Sequence, residues 1–256
     1  MRDIPSPSAG LRAFFETPAG NKALSLIAGY FHATLEGAEH IPRSGGVLLV
    51  SNHALFALDT AALAALLIRD LGRHPRFLAD RNLWRVPGLG ELITAVGALP
   101  GDPQAAETLL RAGELVIVYP GGVDDSLKLS TQRYQLQWKN RAGFARVAMA
   151  AEVPILPVVG YGIDEMYSII GREHVLGRRI LGSPRYDLPI AFGAFGTLLP
   201  RRATHRFRVL PPIDTRGDVQ SEADVERVRA ATYNALESCL RLARDGKPAA
   251  GRPRSS

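Results

Sequence analysis

The sequence predicts an α/β fold: a single domain in which a central mixed β-sheet is flanked by helices. Three observations carry this. Short apolar runs bounded by glycine or proline alternate along the chain with longer stretches of helical character, the pattern of strands and helices taken in turn. The 256 residues suffice for one large domain. Hydrophobic residues make up 46% of the chain and are spread along it, so a substantial core can form without disulfide staples. No linker or repeat interrupts the middle of the chain. The expected organisation is a disordered N-terminus over 1–10, one domain over 11–245 and a disordered basic tail over 246–256, where Gly, Pro, Ser, Lys and Arg offer almost nothing to bury.

In chain order, residues 11–35 carry Phe14, Phe15, Leu24, Ile27, Tyr30 and Phe31 without one clean apolar period. They predict one or two amphipathic helices interrupted near Pro18-Ala19-Gly20. Such a segment either lies on a bilayer or packs on the core. Val47 to Val50 follows two glycines and predicts a buried strand; Asp59 to Ile68 predicts a helix. A strand at Arg76 to Ala79 and a helix at Leu89 to Val96, begun near Pro87, come next. Pro103 to Ala112 predicts a helix, Glu114 to Tyr119 a strand, Arg141 to Ala151 a helix, Pro154 to Val159 a strand, and Arg206 to Leu210 a last strand. The C-terminal helix is the clearest element. Ser221 with Asp224 forms a capping-box signature, and Val225, Val228, Thr232, Leu236, Cys239 and Leu240 recur on one face. Cys239 is therefore expected in the core rather than as a nucleophile.

The single cysteine leaves no internal disulfide and fits a reducing compartment. No secretory leader is expected from the polar, proline-containing start, and no stretch reaches the roughly 20 apolar residues of a membrane span. The net charge is +6. Arg172, Arg178, Arg179 and Arg185 form one basic group, and Arg201, Arg202, Arg206 and Arg208 another. Such charge suits an anionic membrane, a phosphorylated ligand or nucleic acid, or is an ordinary solvated surface. No zinc-finger spacing is present and the aromatics do not interleave with the basic runs, so no nucleic-acid partner is expected.

Chemistry is expected where buried strands end. After the first strand the chain reads Ser51-Asn52-His53, then five residues, then Asp59 at a helix start. A turn of this length folds a carboxylate back onto the imidazole, the base-and-orienter half of a triad without a protein nucleophile. A histidine beside a capped helix start is also common, so the segment alone leaves both readings open. After Leu115 to Val118 the chain reads Tyr119-Pro120-Gly121-Gly122-Val123-Asp124-Asp125. Its glycines either expose N–H groups to an oxyanion or phosphate or make a simple tight turn. There is no nucleophile elbow, Walker loop, dinucleotide fingerprint or metal-ligand spacing, so no metal and no resident cofactor are expected.

In order and spacing these segments resemble the glycerolipid acyltransferase superfamily, of the lysophosphatidic acid acyltransferase type, over about Leu35 to Ile213. Asn52-His53 with Asp59 resembles the first block of that family, its catalytic His and Asp. Phe77 to Arg81, Leu83 to Gly90 and Gly97 to Pro100 resemble the second block, Glu114 to Gly122 the third and Val153 to Val158 the fourth. Two departures stand out. Five residues rather than four separate His53 from Asp59, and Pro120-Gly121-Gly122-Val123 replaces the family's Glu-Gly-Thr-Arg. Both resemble the monoacylglycerol and diacylglycerol acyltransferase-like branch, as do Asn140-Arg141-Ala142-Gly143-Phe144, Gly160-Tyr161-Gly162 and Glu165.

The resemblance implies a glycerolipid acyltransferase-type fold with N-terminal amphipathic helices. It implies an enzyme moving a fatty acyl group from acyl-CoA or acyl carrier protein to a lipid hydroxyl. His53 and Asp59 would be catalytic, and Asn52, Arg81, Gly121 and Gly122 substrate-binding, with Arg81 on donor phosphates or else in a surface ion pair. A phosphate on the acceptor would need a cation at the third block, where Asp124 and Asp125 would repel it. The expected acceptor is therefore neutral: mono- or diacylglycerol or a long-chain alcohol. The alternatives are a lysophospholipid acyltransferase, a hydrolase with water replacing the alcohol, and a non-enzymatic membrane lipid-binding protein. The expected place is the cytoplasm, on the inner face of an anionic membrane.

Overall fold

A computed structural model describes residues 14–85, 88–95, 97–173 and 187–246. The expected disordered ends at 1–10 and 246–256, apart from Gly246, and Arg178, Arg179 and Arg185 of the first basic group lie outside these residues.

The N-terminal helix α1 (Pro18–Tyr30) starts at the proline expected to interrupt it. The break falls at Thr17, whose hydroxyl accepts from the Gly20 N–H (3.1 Å). Proline is favoured at a first helical position because its missing N–H would have no partner there. Next come β1 (Thr34–Glu36), β2 (Val47–Ser51), α2 (Leu58–Leu71), β3 (Arg76–Ala79), α3 (Leu89–Ala95), β4 (Ala98–Pro100) and α4 (Pro103–Arg111). Then follow β5 (Leu115–Val118), the short α5 (Gly122–Ser126), α6 (Gly143–Ala151), β6 (Ile155–Tyr161), β7 (Ser168–Glu173), β8 (Leu188–Phe192), β9 (Arg206–Val209) and α7 (Glu222–Arg244).

Seven strands form one mixed sheet in the order β1-β9-β6-β2-β5-β3-β4. The five from β6 to β4 run parallel; β9 lies antiparallel to β6 and carries β1 beside it. Strand β2 shows how the core is divided. Val47 and Leu49 pack with α1 and α2 on one face, whereas Leu48 and Val50 pack with α4, α6 and α7 on the other, as the two-residue side-chain period requires. Both faces are covered, so the central strands are apolar runs.

The C-terminal helix buries the expected stripe of Val225, Val228, Thr232, Leu236 and Leu240, and Cys239 packs partly buried beside it. Ser221 caps it by accepting from the Asp224 N–H (3.3 Å). The Asp224 carboxylate, however, binds the Asp218 N–H (3.0 Å) rather than completing a capping box. Four strands carry no strand pattern in sequence. β1 and β4 are three residues each, too short for a period, and β7 and β8 form a separate antiparallel ribbon bulged between Ile169 and Gly171. Among the described residues no helix is long and apolar enough to cross a membrane.

Candidate active site

Because β2 and β5 are parallel neighbours with Val50 opposite Val118, the residues that leave their C-terminal ends meet. His53 follows β2 and Tyr119 follows β5; their rings stack with centroids 4.0 Å apart. His53 Nδ1 lies 2.9 Å from Asp59 Oδ2, with the imidazole 15% and the carboxylate 1% exposed. The five-residue interval therefore closes the pair. It does so through a short 3₁₀ turn in which Phe56 (φ 61°) and Ala57 (φ 54°) both occupy the left-handed region, a backbone state that costs a residue with a Cβ about 1–2 kcal/mol. The turn absorbs the extra residue and delivers Asp59 to the first turn of α2. Tyr119 is half-buried, and desolvation together with the Asp59 charge holds its phenol well above the usual range. Its oxygen accepts a hydrogen bond from the Thr60 hydroxyl (2.8 Å). A neutral aromatic wall thus backs the imidazole.

The main chain at His53 is pinned from two sides. The Asn52 amide donates to the Gly160 carbonyl (2.9 Å) and accepts from the Gly160 N–H (2.8 Å). Asn52, expected to touch substrate, is buried and bound at both ends of its amide, so what it holds is the end of β2 against β6. On the other side the Lys128 ammonium donates to the His53 carbonyl (3.0 Å) and the Asp125 carbonyl (3.2 Å) and pairs with Asp164 (2.8 Å). Burial alone would lower the Lys128 pKa, but Asp164 and Asp125 outweigh it and raise the value. Lys128 carries no sequence signal, since a lone lysine after a short helix reads as surface.

The third-block turn is tighter than a ligand cradle requires. A Cβ on Gly121 would come within 2.3 Å of the Asp125 carboxyl, so a larger residue there has to displace that buried side chain. Gly122 has φ +50°, and its N–H donates to the Tyr119 carbonyl (2.9 Å). That N–H closes the turn and does not face an oxyanion, contrary to the expectation for it. Asp125 is directed inward, away from any acceptor. One oxygen accepts from the Gln137 N–H (2.7 Å), the other has no partner, and burial pushes its pKa up to about 6. Asp124 is held by Arg141 and by Lys139 (3.0 Å). Burial raises its pKa, but the bonds from Lys139 and Arg141 prevail and lower it. Arg141 also donates to the Pro120 carbonyl (2.9 Å) and the Gly121 carbonyl (2.5 Å). The expected repulsion of a phosphate by Asp124 and Asp125 therefore does not arise: one is neutralised and the other is sealed away.

A cavity of about 970 Å³ opens beside Tyr119 and this turn. Among the described residues its walls carry Arg81, Arg85, Lys139, Arg141 and Arg172 against Asp80, Asp124 and Asp187, five cations to three carboxylates. Arg81 is largely exposed there; its Nε donates to the Gly101 carbonyl (3.0 Å) and its Nη2 lies 3.7 Å from Asp102. Gly122 lines the same cavity. His205, which also has no sequence signal, is fully buried and stacked on Phe31 (4.2 Å). Burial pushes its imidazole down to about 4, against a pull upward from Asp59.

Comparison with known proteins agrees with this geometry. Residues 32–160, about half of the chain, match the family described as Acyltransferase. A human protein named DGAT1/2-independent enzyme synthesizing storage lipids is 32% identical over 208 residues, covering 81% of this chain and 62% of the human one. An uncharacterized protein of Mycobacterium tuberculosis is 30% identical over 202 residues, covering 76% of this chain and 56% of its own. The chain thus spans less than two thirds of either relative. The crystal structure of the 1-acyl-sn-glycerophosphate (LPA) acyltransferase PlsC from Thermotoga maritima matches with a TM-score of 0.52 at 20% identity, over 90% of this chain and 88% of that one. At that identity the likeness is one of fold. With the family matched from before β2 to within β6, a span that takes in His53 after β2 and Tyr119 after β5, the chain belongs to the acyltransferase family, enzymes of the glycerolipid acyltransferase superfamily that transfer acyl groups.

Proposed function

We propose that the chain moves a fatty acyl group from an acyl thioester, acyl-CoA or acyl carrier protein, to the hydroxyl of a neutral lipid such as mono- or diacylglycerol or a long-chain alcohol. The observation that carries this is the His53–Asp59 pair at 2.9 Å beside the cationic cavity. Asp59 receives the Nδ1–H and leaves Nε2 as the base. Nε2 takes the hydroxyl proton while the oxygen bonds to the thioester carbonyl carbon. The tetrahedral intermediate then expels the thiolate, which takes that proton back from the imidazolium. No protein nucleophile is needed. Asn52 and Lys128 act as positioning residues for the His53 backbone. Arg81, Lys139 and Arg172 line the wall where donor phosphates would bind.

The neutral acceptor is supported by Arg141. Among the described residues it donates to the Pro120 and Gly121 carbonyls and to the Asp124 carboxylate, so the guanidinium at the third block holds the turn rather than a ligand phosphate. The storage-lipid name of the human relative points the same way. The excess of cations in the cavity favours a second reading, a lysophospholipid acceptor, which acceptor screening with labelled acyl thioester separates. The reading also places the protein on the inner, cytoplasmic face of a membrane.

A positioned base contributes about 10²–10⁴ in rate, roughly 3–5 kcal/mol of barrier. His53→Ala is expected to lose at least that factor while the purified variant stays folded by circular dichroism. Mass spectrometry of lipid products from the purified wild type and variant is the measurement. Near wild-type turnover in the variant removes His53 as the base.

A further inference from the structure

The β7–β8 ribbon is built inside out for a surface element. Ile169 and Ala191 point into the core, as one face should. The other face carries exposed Ile170, Ile190 and Phe192, where a solvated sheet face is ordinarily polar. Ile170 sits at the bulge, a device that re-aims a side chain outward. The chain then enters a loop that presents Phe195, 98% exposed, with Leu198 and Leu199.

That loop is rigid. Gly193 N–H donates to the Thr197 carbonyl (2.6 Å) and Ala194 N–H to the Leu199 carbonyl (2.7 Å). Tyr167 and Tyr30 hydroxyls donate to the Leu198 (2.9 Å) and Pro200 (2.8 Å) carbonyls. A Cβ on Gly193 would lie 1.7 Å from the Leu199 carbonyl oxygen. Phe195 is held with φ +55°, an unfavourable state for a residue with a Cβ. A strained, tightly bonded loop that extends an aromatic side chain fully into water marks an interaction site rather than a loose surface.

Two observations identify the partner. Arg201 and Arg202 follow the loop directly; Arg201 donates to the Ser168 hydroxyl (3.0 Å) and Arg202 lies over the Tyr30 ring (5.3 Å). Both partners are neutral, so among the described residues the charges stand uncancelled at the edge of the apolar patch. Apolar side chains rimmed by arginine fit the interface of an anionic bilayer. The patch is also continuous with the active site. Tyr167, which holds Leu198, meets the ring of exposed Phe56 (5.5 Å) in the turn between His53 and Asp59.

We infer that the outer face of β7–β8 and the 193–200 loop dock the protein on an anionic lipid surface, with Phe195, Leu198 and Leu199 entering the interface and Arg201 and Arg202 meeting the headgroups. The bilayer then lies against the mouth at Phe56, so that a lipid hydroxyl reaches His53 without crossing water. That last step rests on the proposed acyltransferase function; the docking does not.

The test is flotation of the full chain with phosphatidylcholine vesicles, with and without phosphatidylglycerol, at low and high salt. Wild type is expected to float with phosphatidylglycerol at low salt and to be released by high salt. Phe195→Asn/Leu198→Ser/Leu199→Ser is expected to lower binding about tenfold or more, and Arg201→Gln/Arg202→Gln to lower it and flatten the salt dependence. Turnover of a short water-soluble alcohol by the triple variant stays at the wild-type level. Should the triple variant fold poorly, Phe195→Asn alone serves, since asparagine tolerates the left-handed backbone. The inference falls if wild type does not float, or if the loop variants float as wild type does. It falls also if Leu26→Ser/Ile27→Ser on α1 abolishes flotation while the loop variants keep it. A wild-type dimer that the triple variant dissolves, without vesicle binding, assigns the patch to a second copy and overturns the inference. Wild type that floats but forms no ester from soluble substrates defeats the acyltransferase reading and leaves the docking intact.

Discussion

The ends of β2 and β5 lie side by side in the sheet and are held by different means. After β2, the turn to Asp59 is fixed by groups sealed from water: the Asn52 amide on Gly160, Lys128 on the His53 carbonyl, and a carboxylate at 1% exposure. After β5, the glycine turn is held from the solvent side by Arg141, itself half-exposed, on two carbonyls and Asp124. Hydrogen bonds in a low-dielectric interior are strong and their loss leaves orphaned groups, whereas exposed ion pairs contribute little. His53, the proposed base, is thus placed by bonds sealed in the interior, and the wall proposed to meet the donor by bonds open to solvent.

The comparison is broken most severely at Lys128. Lys128→Met leaves Asp164 charged and unpaired inside the protein, and urea unfolding is expected to show a loss of about 3–5 kcal/mol. A loss below about 1 kcal/mol would mean that the β2 end is no better anchored than the β5 end.

Two buried groups near these ends are also expected to respond oppositely to pH. His205, near Asp59, has a native pKa of about 4 against an unfolded value near 6.5. Between these the unfolded chain binds the extra proton, so stability present above about 6.5 falls by about 3 kcal/mol as pH drops to 4. Asp125, beneath Gly121, is shifted up to about 6. Its native state binds the extra proton, so stability present below about 4 is lost by about 3 kcal/mol as pH rises to 6. His205→Phe should remove the first slope and Asp125→Asn the second, in unfolding curves taken from pH 4 to 7. A wild-type profile unchanged by either substitution would show that neither group titrates as its burial requires.

Smaller effects sharpen the same contrast. Arg141→Gln is expected to lower stability by no more than about 1 kcal/mol while raising KM for the thioester, because its carbonyl partners stay near solvent. Ala57→Gly, relieving the left-handed residue before α2, is expected to raise stability by about 0.5 kcal/mol with kcat unchanged. Differential scanning calorimetry checks the first quantity and steady-state kinetics the second.

Much of the fold was legible in the residues. The apolar runs at Val47, Leu115 and Pro154 and the stripe on the last helix announced their elements because burial on two faces, or on one helical face, selects a period that can be counted. The strands at Thr34 and Ala98 were not legible, being too short to have one. The β7–β8 ribbon was hidden because its exposed face is apolar where alternation would mark a strand. At the site, His53 and Asp59 could be named from order and spacing. The direction of Asp125, the capture of Asn52 by Gly160 and of Gly122 by Tyr119, and the reach of Lys128 to the His53 carbonyl could not, since each joins segments that only the sheet brings together.

By itself, then, the sequence determined the α/β architecture, the family and the identity of the histidine and its aspartate, because hydrophobic period and local order are written along the chain. Only the tertiary structure decided that five intervening residues still bring Nδ1 within 2.9 Å of the carboxylate, through two left-handed residues, and that two aspartates beside the cavity repel nothing. Charge and strain depend on what lies across space in a low-dielectric interior, and distance across space is what a linear sequence does not contain.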